Sequence, residues 1–553
     1  MIPRDTTGIR TLVFWGAGAT RELGLRLTEE QGQFICAITG ASDPSKSLTE
    51  RVGSALLESN IDPWRAAFVD LISILGDRDD AYRSIHLIND EERNAMRRNW
   101  DPSEDLDSRI IALRLTYDWP ALKSVVKVCP GSKSGKLKLN DLFNLLDLHI
   151  PSGFGFQGPS GTGDASADRD QELRFFDARR LAGAKNALLM LLGALFYVDY
   201  QVCIAQKSDT LQKYKDAATL LGRRVLWMGL DLANAGKPLD RRDFYEDEVA
   251  FVSLNYDPIL LWVQWVANRE LNNSASVPHI GSPPSPLHLF NDFGHLIPSR
   301  RIEKGELRFP WYPMNEAAVQ RLNESVTACG PKIRLTKILF PHGSLCWREC
   351  PDCGKLSAYH GDEWGLTSES LVPPPPLRAF TAATCPDGVS AEEKRERGRG
   401  KVDARGCLHC RTLNYAKDTQ VVMQSSFKSR PPSFIEEIQR DLQAMTMKAV
   451  HIIFMGYSLP PDDVTYRAFF AARSQRTKSP VRCTVVNKDP NNPGWYGPDQ
   501  IKAQGIEHGA LKAAIEIFAA ENVRFYGGGI PEVFLDGGLA TEARLERLLT
   551  WCE

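Results

Sequence analysis

The chain has 553 residues, 43% hydrophobic and 25% charged, and a formal net charge of −2. Length alone predicts three to four domains, and there is ample apolar material for a large core. No global basic field points to nucleic acid, and the longest apolar run, Ala187–Val198, is too short to span a bilayer.

Arg4, Asp5 and Arg10 interrupt any leader-like segment at the start, so a cytoplasmic protein is expected. Thr11-Leu-Val-Phe-Trp15 reads as a short strand, followed at once by Gly16-Ala-Gly-Ala-Thr20 and a helical pattern from Glu22 to Gln33. Strand, glycine-rich turn and helix together bring backbone N–H groups and a helix N-terminus up to a phosphate. Arg21 stands where the dinucleotide fingerprint needs its third glycine. The segment therefore reads either as a nucleotide-binding turn or as a plain tight strand–helix turn.

From Leu48 to His149 the pattern is mostly helical, as in Arg51–Leu75 and Leu142–Leu148, and reads as a packing layer. Gly131-Ser-Lys-Ser-Gly-Lys136 is one residue short of a P-loop, Leu137 replaces its hydroxyl residue, and no clear strand precedes it. Pro151–Asp170 is rich in Gly and Ser and reads as a flexible loop. Helical character resumes from Glu172 to Ala235, where Ala187–Val198 is apolar all round and predicts a buried helix.

Val249–Leu254 predicts a second buried strand, running into Asn255-Tyr256-Asp257-Pro258. Short polar residues at a strand's carboxyl end suit a ligand site, and they equally suit a capped turn. Asn273–Pro331 reads as a loop insertion whose His279, His288 and His295 lack ligand spacing. The run Ile338-Leu-Phe340, closed by Pro341, predicts another buried strand, with His342-Gly343-Ser344 at its end. Alone, His342 reads as a structural histidine; at a strand's carboxyl end it places an imidazole by a ligand crevice.

Cys350-x-x-Cys353 and Cys407-x-x-Cys410 form a four-cysteine zinc-ribbon pattern, in which a closed set of thiolates is structural. The alternative is two unrelated thiol pairs or a redox site. Cys346, Cys385 and His409 are reserve ligands, and residues 354–406 loop out between the knuckles. That loop carries Pro373–Pro376 and the charged run 392–401; the basic part, 394–401, reads as a solvated face before a nucleic-acid contact.

Ser433–Met447 predicts an amphipathic helix and Val450–Met455 a further buried strand, ending in Gly456-Tyr-Ser458-Leu-Pro460. Asp462 and Asp463 are natural N-caps for the helix Val464–Ala472. Arg482–Val486 predicts the next strand, ending at Asn487; helix Ala510–Ala520, strand Val523–Tyr526 and helix Thr541–Trp551 follow.

The order of these turns is Gly16–Thr20, Asn255-Tyr-Asp257, His342-Gly-Ser344 with two cysteine pairs, Gly456-Tyr-Ser-Leu-Pro460, then Asn487. This resembles the sirtuin family over residues 11 to about 526, and looks most like its prokaryotic antiviral-defence branch of NAD-consuming effectors. Leu254-Asn-Tyr-Asp257 stands where deacylating members carry Gln-Asn-Ile-Asp, and looks like the defence branch.

The resemblance implies an α/β fold with a Rossmann-like parallel sheet, interrupted by a helical insertion and a zinc-ribbon module. The core would comprise residues 1–47, 246–345 (with a loop insertion at 270–331) and 418–553; the helical insertion would be 48–245 and the zinc module 346–417. It implies NAD+ as substrate and structural Zn2+ on Cys350, Cys353, Cys407 and Cys410. Gly16, Ala17, Gly18 and Thr20 would hold the diphosphate, and Gly456, Ser458 and Asn487 the adenosine half. Asn255 and Asp257 would lie at the nicotinamide ribose, with His342 the catalytic histidine. The expected activity is an NAD+ glycohydrolase, gated by a trigger, a partner defence protein or homo-oligomer assembly. Protein deacylation or ADP-ribosyl transfer, and silent NAD or ADP-ribose binding, are the alternatives.

Overall fold

The computed structural model describes residues 8–78, 87–99, 105–159, 173–239, 244, 246–292, 301–303, 306–308, 330, 332–349, 356–358, 419–422, 425, 431, 433–461, 463–476 and 480–551. Its centre is a nine-stranded sheet. In chain order the strands are β1 (Thr11–Trp15), β2 (Glu246–Ser253), β3 (His279–Ile280), β4 (Ser285–Asp292), β5 (Lys332–Leu339), β6 (His451–Met455), β7 (Arg482–Val486), β8 (Trp495–Tyr496) and β9 (Val523–Tyr526). Across the sheet they run β8-β9-β7-β6-β1-β2-β5-β4-β3. The seven inner strands are all parallel, and the two-residue strands β3 and β8 close the edges antiparallel.

Parallel strands are covered on both faces, so they read as unbroken apolar runs. All five residues of β1 and of β6 are buried. β1 is the pivot of the topology: the chain goes from it to β2 on one side and later to β6 on the other. The carboxyl ends flanking such a reversal form a crevice, because their connections diverge to opposite faces.

Between β1 and β2 lies a helical layer that includes Asp62–Leu75, Trp119–Val128, Leu139–Ser152, Ala178–Gln206 and Ser208–Asn234. Among the described residues, Ala178–Gln206 is the one helix long and apolar enough to cross a membrane, and 78% of its apolar stretch is buried inside the protein. The P-loop-like Gly131–Lys136 follows a helix, not a strand, and forms a short 3-10 turn.

Several elements depart from expectation. The first helix starts at Thr28, not Glu22, because Gly24 takes a left-handed conformation (φ +90°) after two short 3-10 turns. The stretch 51–75 is two helices, broken after Ala55. The segment read as a loop at 151–170 contains a strand, Phe156–Pro159, paired antiparallel with Leu173–Phe176. The loop expected at 273–331 contributes β4, whose Leu287 and Leu289 are buried among proline-flanked neighbours. Asp463 does stand at the N-cap of the Val464–Ser474 helix, but its carboxylate accepts from Tyr457 Oη at 2.7 Å instead of from the helix backbone. Asp462 lies outside the described residues.

After His342 the chain enters a small antiparallel sheet of Gly343–Glu349, Leu356–Ala358 and Thr419–Val421. Cys350, Cys353, Cys407 and Cys410 lie outside the described residues, as do Cys385, His295, His409 and the basic run 394–401.

Candidate functional site

A cavity of about 540 Å³ opens at the carboxyl ends of β1, β2, β6 and β7, a volume in the range of small-molecule sites. It is lined by Gly16, Ala17, Gly18 and Thr20 after β1, and by Leu254, Asn255, Tyr256 and Asp257 after β2. Gly456, Tyr457, Ser458 and Pro460 after β6 and Asn487 after β7 complete the set. Every residue expected at the nucleotide except His342 therefore borders one space.

The glycine loop does not work as its sequence suggests. A Cβ on Gly16 would lie 2.6 Å from Gly456 O, and one on Gly18 2.8 Å from the same oxygen. Gly456, at φ +60°, has its own Cβ direction blocked by Ala19 N at 2.0 Å. These glycines let two turns touch, backbone to backbone. Four of the loop's five N–H groups are bonded within the protein: Gly16 to Met455 O, Gly18 to Gly456 O, Ala19 to Gly16 O and Thr20 to Ala17 O. Tyr214, from the helical layer, clamps the loop by donating to Ala19 O at 2.6 Å.

Leu27, Thr28, Glu29 and Gln31 line the cavity, so the positive end of the 12-residue Thr28–Thr39 helix faces it. Arg26 lines it too, and its guanidinium is paired with buried Asp199 of the Ala178–Gln206 helix. The Arg26 N–H donates to the same carboxylate at 3.2 Å. Burial pushes the Asp199 carboxyl up to about 7, against the pull of Arg26.

At the β2 end, Asp257 is buried and its carboxyl is pushed up to about 6 by desolvation. The Ile259 N–H, which donates to Oδ1 at 3.1 Å, and the Asn255 side chain offset part of that shift. Asn255 Nδ2 is itself buried and, among the described residues, makes no hydrogen bond of good geometry. A buried amide and a carboxyl near neutrality, side by side at a cavity wall, are arranged for a ligand and not for stability.

His342 stands behind this wall. It is 0% exposed and does not line the cavity. Its Nδ1 lies 3.2 Å from Leu254 O, and its ring contacts Tyr256 and Tyr466 at centroid distances of 6.3 and 5.3 Å. With Nδ1–H donating, the neutral ring carries its lone pair on Nε2.

Some lining residues had no sequence signal. Leu139, Asn140, Phe143 and Phe196 come from the helical layer, whose docking over the cavity is non-local. His508, at the start of the Gly509–Phe518 helix, was likewise not anticipated. Gly24 was the available clue to the helix start, and hence to Arg26 and Glu29. Leu459, buried between Ser458 and Pro460, is strained at φ +54°; a left-handed non-glycine residue beside a cavity is a mark of a functional turn. Among the described residues no group of three or more His, Cys, Asp or Glu forms a metal site. A scan against protein-family models finds no match to this chain, and a search of the curated proteins finds none.

Proposed function

We propose that the chain is a sirtuin-like NAD+ glycohydrolase, converting NAD+ and water to nicotinamide, ADP-ribose and a proton. The observation that carries this reading is the convergence of four separated strand-end turns on one cavity, with Asn255 and Asp257 buried at its wall. Cleavage of the nicotinamide–ribose bond develops oxocarbenium character, as in glycoside hydrolysis. Asp257, with a pKa near neutrality, is suited to hold the ribose hydroxyls or take a proton. The Asn255 amide can orient water without adding charge. His342 is the residue assigned to proton transfer from a ribose hydroxyl or the attacking water. In this reading the Thr28 helix N-terminus and Ala17, which line the cavity, would meet the diphosphate, and Ser458 and Asn487 the adenosine half.

In the same reading, the four cysteines hold a structural zinc ion. The protein would act as a gated antiviral-defence effector, triggered by a partner or by assembly. A substrate protein would have to pass the Leu139–Ser152 helix, which walls the cavity at Phe143, so water is favoured over an acylated peptide as co-reactant. Burial of His342 favours one second reading, a silent NAD- or ADP-ribose-binding protein.

The deciding experiment is nicotinamide release from NAD+ by purified protein without acyl substrate, beside His342→Ala and Asn255→Ala. Turnover lost in both variants supports the glycohydrolase. Saturable binding with no turnover, in the parent and in His342→Ala alike, supports the silent binder.

A further inference from the structure

Tyr256 occupies a singular place in this site. One side of the residue lines the cavity, and the other meets the His342 ring. Phe143, from the helical layer, packs on it edge-on at a centroid distance of 6.4 Å. Its hydroxyl donates to Val422 O at 3.4 Å, and Val422 N–H in turn donates to His342 O at 2.8 Å. Leu345 N–H donates to Tyr256 O at 3.3 Å. The Tyr256 ring is thus held by three parts of the chain: the helical layer, the strand end that bears His342, and the return strand Thr419–Val421.

We propose that Tyr256 is an internal gate, whose ring shuts His342 away from the cavity and must swing aside before the imidazole meets a ligand. This rests on the glycohydrolase reading of the cavity and adds its control. The argument is geometric. His342 has no exposed surface, although it follows a sheet strand adjacent to β2 at the cavity end. The Leu254–Asp257 segment lines the cavity, and within it the Tyr256 ring touches both the His342 ring and Phe143. Rotating the Tyr256 ring breaks the 3.4 Å hydrogen bond to Val422 O and the aromatic contacts with His342 and Phe143. A binding event that moves the Phe143 helix or the Val422 segment can shift that balance. Both elements belong to the parts of the chain inserted between core strands, so a trigger acting on either has a mechanical route to the site.

The test reads access to His342 directly, apart from turnover. Diethylpyrocarbonate acylates accessible imidazoles, and peptide mass spectrometry assigns the modified residue. Parent protein, Tyr256→Ala and Phe143→Ala are treated alike, and nicotinamide release from NAD+ is followed in parallel. His451 serves as an internal unfolding monitor, being buried with both ring nitrogens bonded. The gate predicts His342 protected in the parent and modified at least about 10-fold faster in Tyr256→Ala, with His451 unchanged. Should Tyr256→Ala expose His451 as well, Phe143→Ala decides, since it frees the ring and leaves Tyr256 in place. His342 already reactive in the parent, or still protected in the variant that keeps His451 protected, overturns the gate. His342 released with no gain in nicotinamide sustains the gate and removes the glycohydrolase reading instead.

Discussion

Toward the amino ends of β6, β7 and β9, His451, Thr484 and Arg524 form one bonded cluster. His451 donates from Nδ1 to Leu549 O at 3.0 Å and lies 2.7 Å from Thr484 Oγ1 through Nε2. Arg524 donates to Thr484 Oγ1 and to the carbonyl oxygens of Arg547, Leu548 and Thr550, so it caps the C-terminal end of the Glu542–Leu549 helix. At the carboxyl ends of β1, β2, β6 and β7, by contrast, Asn255 Nδ2 makes no good hydrogen bond, Asp257 is held near neutrality and Leu459 is strained. The His451–Thr484–Arg524 cluster is satisfied and fixes the fold, whereas Asn255 and Asp257 stand at a cavity wall. A protein places strain and unmet polarity where a ligand will repay them, and the rest of the fold must be stable enough to bear it.

The largest effects should separate the two ends cleanly. Asn255→Ala should lower nicotinamide release at least about 100-fold, the scale of lost positioning in catalysis. Its thermal midpoint should change little, since Asn255 Nδ2 makes no hydrogen bond of good geometry and its side chain only moderates the raised Asp257 carboxyl. An unfolding midpoint that dropped sharply would mean that Asn255 belongs to the structural end after all.

Arg524→Ala is the mirror experiment. It removes three hydrogen bonds at a helix end and one to Thr484, and should cost about 2–4 kcal/mol in urea unfolding. NAD+ affinity measured below the unfolding transition should not change.

Asp257→Asn sharpens the comparison through pH. Burial raises this carboxyl to about 6 in the folded chain, against about 4 when unfolded. The folded protein therefore keeps a proton that the unfolded chain has released between those values. Stability from this group is full below pH about 4 and is lost as the pH rises through 6. The variant should be more stable than the parent at pH 7, by on the order of 2 kcal/mol, with a smaller decline between pH 4 and 6. His451 has the opposite sign. Burial, then the nearby Arg524 charge, lowers it to about 3, so its contribution is present above pH about 6.5 and is lost as the pH falls toward 3. Urea midpoints of His451→Gln across pH 4–7 should show a weaker acid decline than the parent; an unchanged acid limb would remove His451 from the account.

The smallest effect is expected at the rim. Lys488 and Glu22, close in the chain to the cavity-lining Asn487 and Thr20, pair with side chains 64% and 37% exposed. Glu22→Gln should shift stability by less than about 1 kcal/mol, because water screens exposed pairs.

Much of the sheet was legible in the chain. Thr11–Trp15, Arg482–Val486 and Val523–Tyr526 fall where their apolar runs predict, since a strand buried on both faces needs nothing else to be recognised. The loop readings at 151–170 and 273–331 failed for one reason. Gly, Ser and Pro dominated the local composition, while Phe156 and Leu287 found partners far along the chain at Phe176 and Lys332. The helical pattern runs back to Glu22, but Gly24 takes a left-handed conformation and breaks it, so the helix starts at Thr28.

By itself the sequence determined which turns stand at strand ends and which residue types they carry, because these are local matters of hydrophobic run and turn chemistry. That Gly16, Asn255, Ser458 and Asn487 share one cavity was decided by the parallel pairing of β1, β2, β6 and β7, in which the contacts of β1 with β2 and β6 cross hundreds of positions. That the glycines serve turn-to-turn contact, and that His342 lies behind Tyr256 beneath a wall completed by Phe143, was likewise tertiary. Steric fit between distant segments leaves no periodic trace in a chain, so only the packed structure could reveal it.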